Sequence, residues 1–331
     1  MIYYFHMTTN TAQKIQEYLI VNKQVTSKQI AEYLGISRQA LFKHIAKLLE
    51  AGKIGKIGRP PVVYYFIKES FVSEIHSYQK QQESHIIENN YLIITPTGEK
   101  LKGMNGFQYW CDKNKLPLIK TIAEYEKTFQ KYAKYKKAGL IDGMYKLRHS
   151  FNTVYVNKIF YLDFYSIERF GKTKLGWMLL YAKQSQNKAL IKETCDYIDK
   201  EVDKCITKHS IDAVCFVPPT IKREIQLMTE IEKNLNIHLP IIHLQKIKTD
   251  LIVPQKTLSK IEDRIENAKQ TIVVNDTRSY NNVLIIDDAI GSGATINETA
   301  KKIREKKIAK KKIYGLAITG SFKGFEIISE V

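Results

Sequence analysis

The sequence predicts an α/β protein in three parts: a small N-terminal domain of helices followed by a β-ribbon (residues 1–70), a small mostly helical connector (71–150) and a C-terminal parallel-sheet domain (151–331). Three observations predict it. Apolar residues at helical spacing dominate the first fifty positions and give way to a short alternating segment. Beyond residue 150, short β-branched runs alternate with longer helical stretches, the pattern of strands joined through crossover helices. One of these runs, Val283 to Ile286, ends in Asp287-Asp288 and a glycine-bearing loop, the place where open α/β sheets hold their ligands.

In the N-terminal part, Thr11 to Val21 carries Ile15, Leu19 and Ile20 at helical spacing. Thr26-Ser27 then caps a short helix, Lys28 to Tyr33, with Ile30, Ala31 and Leu34 inward. Gly35-Ile36-Ser37 makes a turn, and Ser37 caps a second helix, Arg38 to Glu50, whose inner face is Leu41, Ile45 and Leu48. Ala51-Gly52 closes it, and a basic turn around Gly58-Arg59-Pro60 leads into the β-rich VVYYFI. The arrangement resembles a winged helix-turn-helix, which implies binding to double-stranded DNA. Residues 1–70 hold ten Lys or Arg against four Glu, a surplus of six positive charges that suits a phosphate backbone. Ser37, Arg38, Gln39, Lys43 and His44 are expected to face the major groove, with Arg38 and Gln39 reading bases. Lys53, Lys56 and Arg59 are expected on phosphate or in the minor groove. The competing reading is a solvated basic face on a module used for dimerisation.

The connector announces less. Glu69 to Asn90 reads as a polar helical linker, Tyr91 to Thr95 as a short strand ended by Pro96, and Phe107, Trp110 and Leu116 as a small core. A helix from Ile122 to Lys137 carries Tyr125, Phe129, Tyr132 and Tyr135 on one stripe. Such a stripe is packing in the first reading and a stacking platform for bases in the second.

In the C-terminal part, strands are expected at Tyr155–Tyr165, Ile211–Val217, Ile241–Leu244, from Val283, and at Ile313–Thr319. Helices are expected at Leu175–Leu180, Ala189–Ile198, Ile221–Leu235 and Ile296–Arg304. After the Val283 strand, Gly291 and Gly293 let backbone N–H groups approach a phosphate, Ser292 and Thr295 add hydroxyls, and the following helix N-terminus favours an anion. Asp287 and Asp288 suit vicinal hydroxyls or Mg²⁺, so the stretch fits a sugar phosphate. An NTPase strand also ends in paired acids, but it needs a P-loop. The single GK[ST], Gly171-Lys172-Thr173, has Ser166 where that pattern requires Gly.

Val283 to Thr295 resembles the phosphoribosyl pyrophosphate (PRPP) loop of type I phosphoribosyltransferases. The resemblance implies that Asp287 and Asp288 hold the ribose hydroxyls and that Ala289, Ile290, Gly291, Ser292, Gly293, Ala294 and Thr295 cradle the 5′-phosphate. It further implies that Val217, Pro218, Pro219 and Thr220 form the pyrophosphate loop, whose backbone N–H groups bind the diphosphate, and that Mg²⁺ accompanies PRPP with Asp287 and Asp288 as its indirect support. Thr249, Gln255, Leu258, Arg264 and Asn267, with the Lys-containing stretch Leu179 to Ile191, are similar to the ComF-like branch of that family. Arg264 is read either as a substrate-facing group beside the acidic pair or as a surface ion pair with Glu262 or Asp263. The branch's usual cysteine-rich zinc segment is replaced here by the winged helix.

The net charge of +18 across 331 residues points to a polyanionic partner, nucleic acid ahead of a membrane surface. Cys111, Cys195, Cys205 and Cys215 have no CxxC spacing and are expected as buried reduced thiols in a cytoplasmic protein. No apolar run approaches the roughly 20 residues of a membrane span. Two functions follow as expectations. The first is a homodimeric transcriptional regulator whose phosphoribosyltransferase-like domain binds PRPP or a nucleotide. The second is an active phosphoribosyltransferase with an unidentified acceptor.

Overall fold

The computed structural model describes residues 11–68, 84–219, 221, 223–247, 253, 257, 258 and 260–321. The chain divides into two compact units, one of residues up to His85 with Asp112–Leu116, the other of Ile86–Cys111 and Pro117 onward.

The N-terminal unit is built on α1 (Thr11–Asn22), β1 (Val25–Thr26), α2 (Ser27–Leu34), α3 (Arg38–Glu50), β2 (Ile54–Arg59) and β3 (Val62–Ile67). Thr26 and Gln29 form a reciprocal capping box that starts α2, and Gly35, at φ 63°, stops it in the left-handed conformation that glycine adopts without strain. The turn to α3 follows at once because the Ser37 side chain accepts from the Ala40 N–H. β1, β3 and β2 form an antiparallel sheet whose β2–β3 hairpin is the wing. Ile15, Leu19, Ile30, Leu41, Ile45, Leu48, Ile54 and Tyr65 make one core. Ile20 departs from expectation: it is 48% exposed, because Ile15 and Leu19 already occupy the buried stripe of α1.

The larger unit follows with α4 (His85–Asn90), β4 (Leu92–Ile94), β5 (Lys100–Lys102), α5 (Gly103–Lys113), α6 (Leu118–Ala133), β6 (Lys136–Lys137), β7 (Leu140–Asp142) and α7 (Met144–Ser150). Then come β8 (Lys158–Phe164), α8 (Lys174–Ser185), α9 (Lys188–Lys208), β9 (Ala213–Phe216), α10 (Leu227–Asn234), β10 (Leu244–Lys246), α11 (Ile261–Thr271), β11 (Ile272–Val274), β12 (Tyr280–Ile290), α12 (Ala294–Glu305) and β13 (Ala309–Gly320). Its main sheet has six strands in the order β6-β7-β8-β13-β12-β9. The four strands from β8 to β9 are parallel, and β6 and β7 add an antiparallel edge. The sheet therefore reaches back to residue 136, before the boundary expected at 150. Strands of two and three residues carry no readable period, and their place is set by pairing with β8.

Side-chain alternation along β12 assigns its faces. Leu284 and Ile286 join the core formed with α8, α9 and α10. On the other face a Cβ on Gly315 of β13 would meet Ile159 and Ile296 at 2.9 Å, so α12 lies against β13 there without room for a side chain. The aromatic stripe is packing at Tyr125 and Tyr132, both buried. Tyr125 meets Tyr91, Phe107 and Phe170 edge-on, and Tyr132 meets Phe164. Tyr135 lies beyond the end of α6 and is 45% exposed. The four cysteines are buried free thiols. Of the residues compared with the ComF-like branch, Thr249 and Gln255 lie outside the described residues, as does Thr220 of the expected pyrophosphate loop.

Candidate functional site

A cavity of about 240 Å³ opens at the carboxyl ends of β9 and β12. The two strands are paired, Phe216 opposite Ile286, so the loops that follow them form facing walls. Asp287, Asp288 and all seven residues of the expected phosphate cradle, Ala289 to Thr295, line it, together with Val217, Pro218, Pro219, Lys183, Arg223, Lys246 and Arg264. The fold therefore gathers the sequence-expected site residues of this unit into one cavity wherever they are described.

The cradle is a strand-to-helix turn. Gly293, at φ 83°, precedes α12, and a Cβ there would run into the Leu147 side chain, so the position accepts only glycine without rearrangement. The first turn of α12 leaves N–H groups with no intrahelical acceptor. Ser292 is buried and its Oγ accepts from the Ala294 N–H at 3.3 Å, which leaves the hydroxyl hydrogen to donate. Ile290 and Ala294 have buried side chains and bring backbone to the cradle. Thr295 is half-buried at its rim.

The two carboxylates differ because alternation sends them to opposite faces. Asp288 shares the face of Leu284 and Ile286 and meets α8, where Lys183 Nζ stands 2.6 Å from its Oδ2. Burial alone would raise the Asp288 carboxyl; the Lys183 charge and hydrogen bond overcome it and hold Asp288 below its ordinary value. Asp287 lies on the other face. Burial, and then the charge of Asp288, push its carboxyl well above the usual carboxylate range. Its Oδ1 accepts the Asp288 N–H at 2.8 Å. Lys246 interacts with Asp287 and is itself held below the usual lysine value by burial. The pair thus offers one ionised acceptor and one carboxyl biased toward the protonated, donating form.

Lys183 engages Oδ2 of Asp288, and the described residues contain no group of three or more His, Cys, Asp or Glu placed to hold a metal. A Mg²⁺ here would therefore be held chiefly by its own ligand, with Asp287 and Asp288 as indirect support.

Arg264 is buried, not on a solvated surface. Its Nε donates to the Leu258 carbonyl at 2.7 Å, and a Cβ on Gly291 would sit 3.4 Å from its Nη1. The guanidinium therefore stands beside the cradle, which favours the substrate-facing reading over the ion pair with Glu262 or Asp263. Lys183 and Lys246 were not singled out from the sequence. The only signal was that Lys183 falls within the Lys-containing stretch Leu179–Ile191.

The opposite wall departs from expectation. The Val217 N–H donates to the Ile286 carbonyl at 2.9 Å, and Pro218 and Pro219 have no N–H. Residues 217–219 thus have no backbone donor for a diphosphate. Of the segment expected as a helix from Ile221, the described residues become helical only at Leu227. Arg223 donates to the Lys183 carbonyl at 2.5 Å and the Ile225 N–H donates to Gln186 Oε1 at 2.9 Å, while Gln226 donates locally to the Arg223 carbonyl at 3.0 Å, so side-chain hydrogen bonds replace helical ones there.

In the N-terminal unit, Ser37, Arg38, Gln39, Lys43, Lys56 and Arg59 are exposed, while His44 and Lys53 are half-buried. Ser37 is engaged as the cap of α3. The outward stripe of α3 also carries Phe42, 46% exposed, and Lys47, neither of which was expected to contribute. A residue adjacent to the buried Leu41–Ile45 stripe, as His44 is, turns partly inward.

Comparisons with known proteins bear unequally on the two units. A search of the curated proteins finds no match. Among solved structures, the ST1889 protein from the thermoacidophilic archaeon Sulfolobus tokodaii aligns at 20% identity over 22% of this chain and 80% of that one, with a TM-score of 0.19. A hypoxanthine phosphoribosyltransferase from Staphylococcus aureus aligns at 16% identity over 39% of this chain and 62% of that one, with a TM-score of 0.25. At those scores neither carries an argument about this chain. No helix among the described residues is long and apolar enough to cross a membrane. Residues 11–63 match the model of the HTH domain, and the chain therefore carries an N-terminal helix-turn-helix domain.

Proposed function

We propose that the chain is a DNA-binding transcriptional regulator whose C-terminal domain takes a 5′-phosphorylated ribose compound, PRPP or a nucleotide, as its effector. One observation carries the reading: a single chain joins an HTH domain that exposes Arg38, Gln39 and Lys43 on α3 to a cavity uniting a phosphate cradle with a carboxylate pair. Chemistry on a sugar phosphate needs no DNA-binding arm, whereas ligand-dependent DNA affinity needs two sites in one molecule. The cradle, Arg264 and the Asp287–Asp288 pair supply anion and hydroxyl recognition in the same cavity.

The test is fluorescence anisotropy of the full chain on DNA from upstream of its own gene, with and without PRPP or a nucleotide, beside an assay of pyrophosphate release from PRPP. DNA affinity that shifts severalfold with ligand is expected, and Asp287→Asn with Asp288→Asn should remove the shift while DNA binding persists. Steady pyrophosphate release without DNA binding would replace the regulator by the alternative transferase. A double variant that responds like the wild type would remove these carboxylates from the site.

A further inference from the structure

The exposed side of α3 carries more than cations. Leu41, Ile45 and Leu48 turn into the core, so the helical repeat sends Gln39, Lys43 and Ala46 outward, with Arg38, Phe42 and Lys47 on the flanks. All six are exposed, and Phe42 keeps 46% of its surface in water. Residues three and four apart are neighbours on a helix surface. Phe42 and Ala46 therefore form a short apolar strip beside the polar strip of Gln39 and Lys43.

An apolar strip on a solvated face contributes nothing to the core and leaves apolar area in water. The charges around it say what covers it. Arg38, Lys43 and Lys47 flank the strip, Lys56 and Arg59 of the wing are exposed in the same unit, and α3 has no acid before Glu50, its last residue. That distribution complements a phosphate backbone. A helix laid in the major groove brings its outward side chains to base edges, and the apolar group displayed there is the thymine C5-methyl, a partner for Phe and Ala. Gln39, three residues earlier, suits adenine N6 and N7.

We propose that Phe42 packs on the C5-methyl group of a thymine, roughly one base-pair step along the groove from the base met by Gln39, and that Ala46 extends the same apolar contact. This rests on the DNA-binding reading above and adds to it the chemical group that the helix selects. Arg38 and Lys43 hold the helix to the duplex; Phe42 makes it prefer thymine over cytosine, which has no methyl group at that position.

Duplexes selected from a random pool by the full chain are resynthesised with deoxyuridine in place of each thymine in turn. The exchange removes one methyl group and alters no hydrogen bond. Binding is read by fluorescence anisotropy at about 0.15 M salt, where general attraction to a polyanion is screened. At one thymine at least, the exchange should weaken the wild type about fourfold, the worth of one buried methyl group. Phe42→Ala lies outside the core and should melt like the wild type. It should bind the thymine duplex about fourfold more weakly and no longer distinguish it from the deoxyuridine duplex. Wild-type binding indifferent to every thymine methyl would overturn the proposal. So would a Phe42→Ala chain that keeps the distinction, because another residue would then read the methyl. No DNA binding by the full chain would take down the regulator reading itself.

Discussion

Replacing Lys183 by Met removes the cation 2.6 Å from Asp288 while keeping a long unbranched stem. The Lys183 side chain is 34% exposed and that of Asp288 19%, so the pair lies between the surface and interior cases. Exposed pairs contribute about 0–1 kcal/mol, and breaking a buried pair by deleting one partner costs about 3–5 kcal/mol. A double-mutant cycle of Lys183→Met with Asp288→Asn is therefore expected to give a coupling of about 1–2 kcal/mol, read from urea melts of the ligand-free chain. Its pH dependence has a definite sign. The Asp288 carboxyl is held below its ordinary value, so the stability it contributes is present above the unfolded carboxylate value of about 3.9 and is lost as pH falls through the folded value. The deficit of Lys183→Met should accordingly be largest near neutrality and shrink in acid. A coupling below about 0.3 kcal/mol at neutral pH, or a deficit that does not change on acidification, would refute the assignment of Asp288 as the ionised member of the pair.

Other consequences can be checked separately. Gly293→Ala forces a side chain into the left-handed region and against Leu147, so a loss of about 1–3 kcal/mol is expected in a thermal or urea melt. Gly291→Ala meets only Arg264 Nη1 at 3.4 Å and should fold nearly as well as the wild type while weakening phosphate binding in titration calorimetry; unchanged affinity would place the phosphate elsewhere. His209 stacks between Phe160 and Tyr314, and burial, followed by the charges of Lys208, Lys158 and Lys312, lowers its value. Its contribution is thus present above the ordinary histidine value of about 6.5 and lost as pH falls below it, and His209→Gln should flatten that part of the stability profile measured by thermal melts. In DNA titrations, Arg38→Ala or Lys43→Ala should reduce the slope of log affinity against log salt by about 0.9 for each DNA phosphate the side chain neutralises, whereas Gln39→Ala should relax sequence preference and leave the slope unchanged.

Much of the site was legible because its parts are close in sequence. Four aliphatic residues, two acids and a loop with Gly291 and Gly293 occupy one stretch, and the strand, turn and helix each follow from local preferences. The helix-turn-helix was legible for the same reason: caps at Thr26 and Ser37, a left-handed Gly35 and the Leu41–Ile45–Leu48 stripe all lie within 25 residues. The edge strands at Lys136–Lys137 and Leu140–Asp142 were not legible, since so short a segment becomes a strand only by pairing with β8. Nor was the loop before Leu227, where an apolar pattern suggested helix but Arg223 and Gln226 bond to α8 and to the loop itself. Arg264 shows the division within one residue. Its type was noted, but only the fold turns it away from Glu262 and Asp263 toward the Leu258 carbonyl and Gly291.

Covalent chemistry and local conformation are written directly in the residues: a loop with Pro218 and Pro219 lacks two N–H donors in any fold, and paired acids before a glycine turn offer hydroxyl and phosphate recognition. Electrostatic state is not local. Asp287 and Asp288 are identical neighbours in the chain, and their carboxyls are shifted in opposite directions, Asp287 up and Asp288 down, only because strand alternation sends one of them to Lys183, 105 residues away, while the other is buried beside its partner's charge. Coulomb interactions and desolvation act through space, so the tertiary structure alone decides which carboxylate carries the charge.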